Sequence, residues 1–235
     1  MKLIALLILM ISSFAHAAIT ELDLIRLLPH SGRGEGLDFY NGYLWEAEAN
    51  DRILKKINPE TGTVVKTHSS PTLYPESLTW IAPNKLLHID FKRKDVAVGE
   101  LTENNKFKFS LLGDLKSIGF GMAKKTSTSF WVTGYYSNKI FLYSYPGLTL
   151  LKTLTTSLLN VEDLAWDGQY LWSSDFRDGN RKLIYRISAS TGNVLSTHKI
   201  PGSEVCDNVD GIAFNGNEMF ITGKNCPLYV VEKPY

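Results

Sequence analysis

The chain has 235 residues, 44% of them hydrophobic, with 25 Lys and Arg against 24 Asp and Glu, for a formal net charge of +1. That length supports a sizeable core, and the near-neutral balance excludes the strong basic excess that a nucleic-acid partner would require. With only two cysteines, a zinc site built on thiolates is excluded as well.

At the N-terminus, Lys2 precedes an almost wholly apolar run over 3–14, and Ala15-His16-Ala17 forms a small-x-small cleavage site before Ala18. This pattern predicts a secretory signal peptide over 1–17 and a periplasmic or secreted mature protein over 18–235; an uncleaved N-terminal anchor is the alternative. Ala18 is not cysteine, which argues against a lipid anchor. No later stretch is apolar enough to cross a bilayer, so no membrane association is expected after cleavage.

A short phrase then recurs five times: a turn, usually carrying an acid, followed by an apolar run. The copies are Gly34-Glu35-Gly36-Leu37, Pro75-Glu76-Ser77-Leu78, Gly119-Phe120-Gly121-Met122, Val161-Glu162-Asp163-Leu164 and Val209-Asp210-Gly211-Ile212. Their spacing of roughly 40 to 50 residues, filled by short strand signals, predicts a five-bladed β-propeller with one blade per repeat. In the first repeat, strands are expected over 37–40, 43–47, 53–57 and 64–68, punctuated by Asn41-Gly42 and the 58–62 turn. The second and third repeats follow the same order more loosely, with Tyr145-Pro146-Gly147 as a turn in the third. The fourth copies the first, with Trp172 after Asp167-Gly168 and a Ser190-Thr191-Gly192 turn. The fifth shows three strands only, over 211–214, 219–222 and 228–231. An unassigned signal over 21–28 is therefore expected to supply its missing outer strand and close the ring.

Cys206 and Cys226 both fall in the fifth repeat. An even count in an exported chain favours a disulfide between them. Trp80, Trp131, Trp166 and Trp172 occupy strand positions at repeat spacing and are expected between blades. The five histidines share no metal spacing, no serine lies in a nucleophile elbow, and no phosphate-cradling glycine loop is present.

The turns before the first strands and the loops after the second strands of a propeller open at one face. The first set brings Glu35, Glu76, Phe120, Glu162 and Asp210 there. The second brings Glu48, Phe91, Tyr135, Tyr136, Phe176, Arg177, Lys224 and Cys226. Two bare carboxylates about 5 Å apart at an effective dielectric of about 20 repel by roughly 3 kcal/mol. The acids must therefore hold protons, share a hard cation such as calcium, or point apart into hydrogen bonds.

The phrases from Glu35-Gly36-Leu37 to Leu44-Trp45-Glu46, the segment 54–62, and the closing Gly211-Ile212-Ala213 with Ile221-Thr222-Gly223-Lys224 and Pro227 resemble, in this order, the glutamine cyclotransferase family. The resemblance implies an exported five-bladed propeller that converts an N-terminal glutamine to pyroglutamate with release of ammonia. It places Glu76, in Tyr74-Pro75-Glu76-Ser77-Leu78, as general acid and base. Glu35, Tyr74, Phe91, Phe120, Glu162, Phe176, Asp210 and Lys224 would bind the substrate, without a cofactor. Several positions differ: family amides correspond to Glu35, Glu162 and Asp210, pocket tryptophans to Phe91, Phe120 and Phe176, and a closing tryptophan to Cys226. A monomer with a peptide or small-molecule substrate is the expectation. Two alternatives stand beside it. One is a calcium-dependent lactonase- or esterase-like hydrolase, with Glu35, Glu76, Glu162 and Asp210 around the ion and Asn160 or Asn208 swinging in. The other is a propeller that binds a peptide or partner at Phe120 and Phe176 without turnover.

Overall fold

The computed structural model describes residues 18–30, 32–176, 182–203 and 206–235. The segment 1–17, expected to be a signal peptide, and Arg177 lie outside the described residues. The chain begins with β1 (Thr20–Glu21) and β2 (Leu24–Leu28), then builds blade I from β3 (Gly34–Tyr40), β4 (Tyr43–Glu48), β5 (Ile53–Ile57) and β6 (Val64–Ser69). Blade II comprises β7 (Pro75–Ala82), β8 (Lys85–Asp90), β9 (Asp95–Leu101) and β10 (Phe107–Asp114). Blade III comprises β11 (Gly119–Thr126), β12 (Ser129–Gly134), β13 (Lys139–Ser144) and β14 (Leu150–Thr155). Blade IV holds β15 (Ala165–Trp166), β16 (Tyr170–Ser173), β17 (Leu183–Ser188) and β18 (Val194–Lys199). Blade V holds β19 (Gly211–Asn215), β20 (Glu218–Thr222) and β21 (Leu228–Glu232). The five sheets form a five-bladed β-propeller in which consecutive strands of each blade pair antiparallel.

The segment expected as one closing strand is split between two blades. β2 pairs antiparallel with β21 and is the fourth strand of blade V, with Leu28 opposite Leu228. β1 instead runs parallel to β18 on the outer edge of blade IV, with Thr20 opposite His198. Between them the Leu22 amide donates to the Lys199 carbonyl at 2.9 Å, and the Leu22 side chain is buried between blades IV and V. Burying that side chain turns the chain from one blade edge to the next, so the N-terminal segment ties two blades and leaves neither edge bare.

Five apolar clusters fill the five gaps between neighbouring blades. Trp45 and Trp80 meet edge to face at 4.9 Å between blades I and II. Trp131 is buried between III and IV, and Trp172 between IV and V. Alternate side chains of the inner strands supply this packing because β-strand side chains point to opposite faces, one toward each neighbouring blade. Trp166 is only half-buried.

On the axis one carboxylate reaches every blade. Asp163 Oδ2 accepts the backbone N–H of Ile212 at 2.9 Å and of Leu37 at 3.4 Å, and the Leu164 amide also bonds this carboxylate. Asp163 Oδ1 accepts the Ser77 hydroxyl at 3.0 Å, and the Ser77 oxygen accepts the Met122 amide at 3.1 Å. The inner strands of blades I, II, III, IV and V thus share one buried hydrogen-bond hub. Turning Asp163 inward also shortens the inner strand of blade IV to two residues. Close approach at the hub leaves no room for side chains at Gly36 and Gly121. A Cβ on Gly36 would lie 2.5 Å from the Ser77 Cα, and one on Gly121 2.5 Å from the Leu164 nitrogen.

Cys206 and Cys226 form a disulfide with Cα atoms 4.7 Å apart, buried in the apolar cluster between blades IV and V. The bridge closes a segment of sequence separation 20.

Replacing Asp163 by alanine strands several buried backbone donors, each costing about 1–3 kcal/mol. Chemical denaturation of Asp163→Ala is expected to show a loss of about 3–5 kcal/mol. Reducing the disulfide is expected to cost roughly 3 kcal/mol, measured as a lower denaturation midpoint in a thiol reductant.

Candidate active site

The face that carries the turns before the inner strands gathers four buried acids, Glu35, Glu76, Glu162 and Asp210. Three of these turns are held by a device that the sequence did not announce. An acid at or just beyond the end of the second strand grips the loop leading into the inner strand. Glu48 accepts the Arg33 amide at 3.1 Å, just before Glu35. Asp90 accepts the Leu73 and Tyr74 amides at 3.0 and 3.1 Å, just before Glu76. Asp175 accepts the Leu159 and Asn160 amides at 2.7 and 3.0 Å, just before Glu162. Each carboxylate replaces water for otherwise stranded loop N–H groups, which fixes where the next acid points. Glu48, expected at the mouth, is therefore a loop anchor that also takes the Asn50 and Asp51 amides. The signal for this device was present as the acids ending Glu46-Ala47-Glu48, Ile89-Asp90 and Ser174-Asp175.

At the mouth, Arg33 Nε lies 2.5 Å from Glu35 Oε1, and the Tyr74 hydroxyl donates to the same oxygen at 3.2 Å. The guanidinium also stacks over the Tyr74 ring at 5.6 Å. Burial works against the charge of Arg33, but Glu35, Tyr74, Asp210 and Glu76 outweigh it and hold its pKa up. Arg33 is not legible in the sequence, because a single basic residue between two glycines carries no motif. Asn208 donates its amide to Asp210. Glu76 is 5% exposed, and its Oε2 has no hydrogen-bond partner among the described residues.

Burial is the leading influence on these carboxyls. It pushes Glu35 up to about 8, helped by the charge of Asp210 and opposed by Arg33 and Tyr74. Burial, then Glu35, Glu162 and Asp210, drives Glu76 well above the usual carboxylate range, with Arg33 opposing. Holding protons is thus the relief that the acids at Glu35 and Glu76 take. Among the described residues no group of three or more His, Cys, Asp and Glu side chains converges as on one metal ion, and Arg33 pairs with Glu35.

An aromatic wall adjoins the acids. Tyr74 meets Phe91 at 5.1 Å, Phe91 stacks on Phe120 at 5.4 Å, and Tyr135 packs edge-on against both. Phe120 meets Phe176 at 6.5 Å, and Tyr136, 43% exposed, closes on Phe120 and Phe176 from the solvent side. The predicted Tyr74, Phe91, Phe120 and Phe176 therefore do come together, with Tyr135 and Tyr136. Lys224 bridges Arg33 through its backbone, while its side chain is about half exposed and pairs with Asp207 at 3.2 Å.

A second buried acid cluster lies between blades I and V with the opposite electrostatics. Glu46 accepts from Lys55 Nζ at 3.0 Å and meets His30 Nε2 at 2.6 Å, while His30 Nδ1 faces the Cys226 carbonyl at 3.1 Å. Burial would raise the Glu46 carboxyl, but the His30 hydrogen bond and the charges of His30 and Lys55 hold it below its ordinary value. At the far end of the axis, a cavity of about 210 Å³ is lined by Asp38, Tyr40, Trp80, Lys124, Trp166 and Phe214, among others.

Because Glu35 and Glu76 bind protons more tightly folded than unfolded, the folded state loses stability as pH rises from about 4.5 through about 8. Thermal melts are expected to show a higher midpoint at pH 6 than at pH 8. In Glu35→Gln/Glu76→Gln that slope is expected to flatten, with stability at pH 8 raised.

No protein-family model matches the chain, and no curated protein matches it in sequence. In structure it is similar to the glutaminyl cyclase of Myxococcus xanthus, with a TM-score of 0.75 and 15% identity over 92% of this chain and 98% of that one. It is also similar to the WD40 β-propeller domain of Doa1, with a TM-score of 0.55 and 14% identity over 88% of this chain and 66% of that one. At these identities the likeness establishes the propeller fold.

Proposed function

We propose that this chain is an exported glutaminyl-peptide cyclotransferase-like enzyme, in which Glu76 moves the proton as an N-terminal glutamine closes to pyroglutamate. The observation that carries this reading is Glu76 itself. It is a buried carboxyl with an unpartnered oxygen, raised well above its usual pKa, on a propeller like that of a glutaminyl cyclase. A raised carboxyl holds a proton more tightly than an ordinary glutamate, which suits a group that must both accept a proton and return it.

In this mechanism the neutral α-amino nitrogen attacks the side-chain amide carbon, forming the ring C–N bond and a tetrahedral intermediate. Ionised Glu76 takes the proton that the attacking nitrogen sheds. It returns that proton to the amide nitrogen as the second C–N bond breaks and ammonia departs. Nucleophile and electrophile belong to one residue, so holding the chain folded back supplies much of the acceleration. Arg33 and Tyr74 hold Glu35 in place, and the aromatic wall from Tyr74 to Phe176 offers an apolar bed for the substrate and excludes water. The signal peptide expected over 1–17 and the Cys206–Cys226 disulfide support function in an oxidising compartment, the periplasm or the exterior.

A second reading keeps the same mouth as a binding site without turnover. It is favoured by Glu162 and Asp210, acids at positions where the family resemblance implies amides. The two readings part on one assay, ammonia release from short peptides with N-terminal glutamine. The cyclase reading expects turnover that survives a chelator and falls about 100-fold or more in Glu76→Gln. Because Glu76 must be ionised to accept the proton, the rate is expected to rise with pH above the ordinary carboxylate range. No ammonia from any glutaminyl peptide would overturn this reading in favour of binding alone.

A further inference from the structure

The outer strands of blades I and IV follow one pattern. Val64-Val65-Lys66-Thr67-His68-Ser69-Ser70-Pro71 runs along and just past β6, and Val194-Leu195-Ser196-Thr197-His198-Lys199-Ile200-Pro201 does the same for β18. Their registers agree. Leu54 lies opposite His68 and Ile184 opposite His198, and both strands shift register just after their first valine. Each histidine ring packs on a tryptophan of its blade's second strand, Trp45 or Trp172, with 5.7 Å between ring centres in both cases.

The two edges differ in what covers them. On blade IV, β1 runs parallel to β18, the Thr20 hydroxyl meets His198 Nδ1 at 2.8 Å, and Leu22, two residues on, is buried between blades IV and V. On blade I, β6 is the last strand of its sheet among the described residues. His68 is 9% exposed, and its Nε2 has no hydrogen-bond partner among the described residues. A groove of about 530 Å³ lies along this edge, lined by residues 66–71 and, from blade II, by Lys106, Phe107 and Phe109 among others. Alternate strand side chains point to opposite faces, so consecutive residues line one groove only where the strand edge itself faces it.

The backbone at this edge is set for a further strand. The Ser70 amide turns inward to the Arg52 carbonyl at 2.9 Å, as the Ile200 amide turns to the Lys182 carbonyl at 3.4 Å. Ser69 therefore aims its own N–H and C=O outward, as Lys199 aims its carbonyl at the Leu22 amide at 2.9 Å. Charge and apolar surface narrow the occupant. No acid lines the groove, Lys66 and Lys106 stand along it, and the Phe107 and Phe109 rings, 5.3 Å apart, form an apolar wall.

We propose that the blade I edge docks an extended acidic peptide segment of a partner protein, which adds a strand parallel to β6 as β1 does to β18. A Ser or Thr of that segment lies opposite His68, within hydrogen-bond reach of the ring. The residue after it is acidic and answers the two lysines, and the next is apolar and lies against Phe107 and Phe109. Strand addition at this outer edge is independent of any chemistry at the mouth.

Nuclear magnetic resonance titration of the nitrogen-15-labelled protein with acetyl-Ala-Ile-Thr-Glu-Leu-Asp-amide, the sequence of residues 18–23, tests this. Amides of residues 66–70 and the His68 ring are expected to shift. Those of residues 196–200 are expected to stay in place, because β1 of the same chain already covers them at high effective concentration. Exchanging the peptide's Thr for Val, or its Glu for Lys, is expected to weaken binding about threefold or more. Ser69→Pro removes an outward N–H and no bond within the blade, and is expected to weaken binding about tenfold or more. A circular-dichroism melt shows whether that variant is folded; if it is not, the two altered peptides decide on the unaltered protein. No shift over 66–70 at millimolar peptide, shifts confined to 196–200, or equal binding of the altered peptides would overturn the proposal. A concentration-dependent dimer in sedimentation that Ser69→Pro dissolves would overturn it too, by giving the edge to a second copy of the chain.

Discussion

The hydrogen bonds converging on the Asp163 carboxylate are the constraint on which the molecule depends. Through Leu37, Ser77, Leu164 and Ile212 directly, and Met122 through Ser77, one side chain holds the inner strands of all five blades in register at the axis. Burial drives its carboxyl well above the usual range even though Ile212, Leu164, Ser77 and Leu37 all donate to it. The donors face inward because the strands converge, and a carboxylate satisfies several of them where water has no room. Glycines at 36 and 121 let the strands approach closely enough for this to happen. The mouth acids then emerge one residue before the hub in blades II and IV, two before it in blade I and two in blade V, so a small shift at Asp163 would move the whole site.

Burial alone does not decide what an acid does in this protein; its partners do. Glu46 is completely buried and still favours its charge, because His30 and Lys55 both answer it. Glu48, Asp90 and Asp175 are spent on loop N–H groups and act as fasteners. Glu35 meets Arg33 and the Tyr74 hydroxyl, and Glu76 meets the charge of Arg33, but burial and the neighbouring acids outweigh these partners and favour the protonated forms. The capping acids and the reactive ones sit within a few ångströms of the same loops, and their different fates follow from the donors each one meets.

Much of this was legible in the sequence. The repeat spacing gave the blade count, since each blade needs one inner strand and an apolar face toward each neighbour. The tryptophans at 80, 131 and 172 fell between blades, as wide side chains on alternating strand positions must. Cys206 and Cys226 paired. The tyrosine and phenylalanines of the mouth met because equivalent loops of a propeller share a face. What escaped the sequence were contacts made across blades. Asp163 looked like one more acid in a recurring turn, and only the convergence of five strands makes it the hub. Arg33 has no partner near it in a motif. The split of the N-terminal segment between β18 and β21 depends on where Leu22 finds a pocket, which local pattern does not encode. The backbone bridge between Lys224 and Arg33 likewise joins residues far apart in the chain.

The central claim is that Glu35 and Glu76 hold protons at neutral pH. Carbon-13 NMR titration of the mature protein, labelled at its glutamate side-chain carboxyls and assigned by substitution, measures this directly. The account predicts that Glu35 titrates near pH 8 and Glu76 well above the ordinary glutamate range, while Glu46 titrates below it. Ordinary titration of Glu35 and Glu76 near pH 4.5 would contradict the account and return the acids to a role as plain solvated charges.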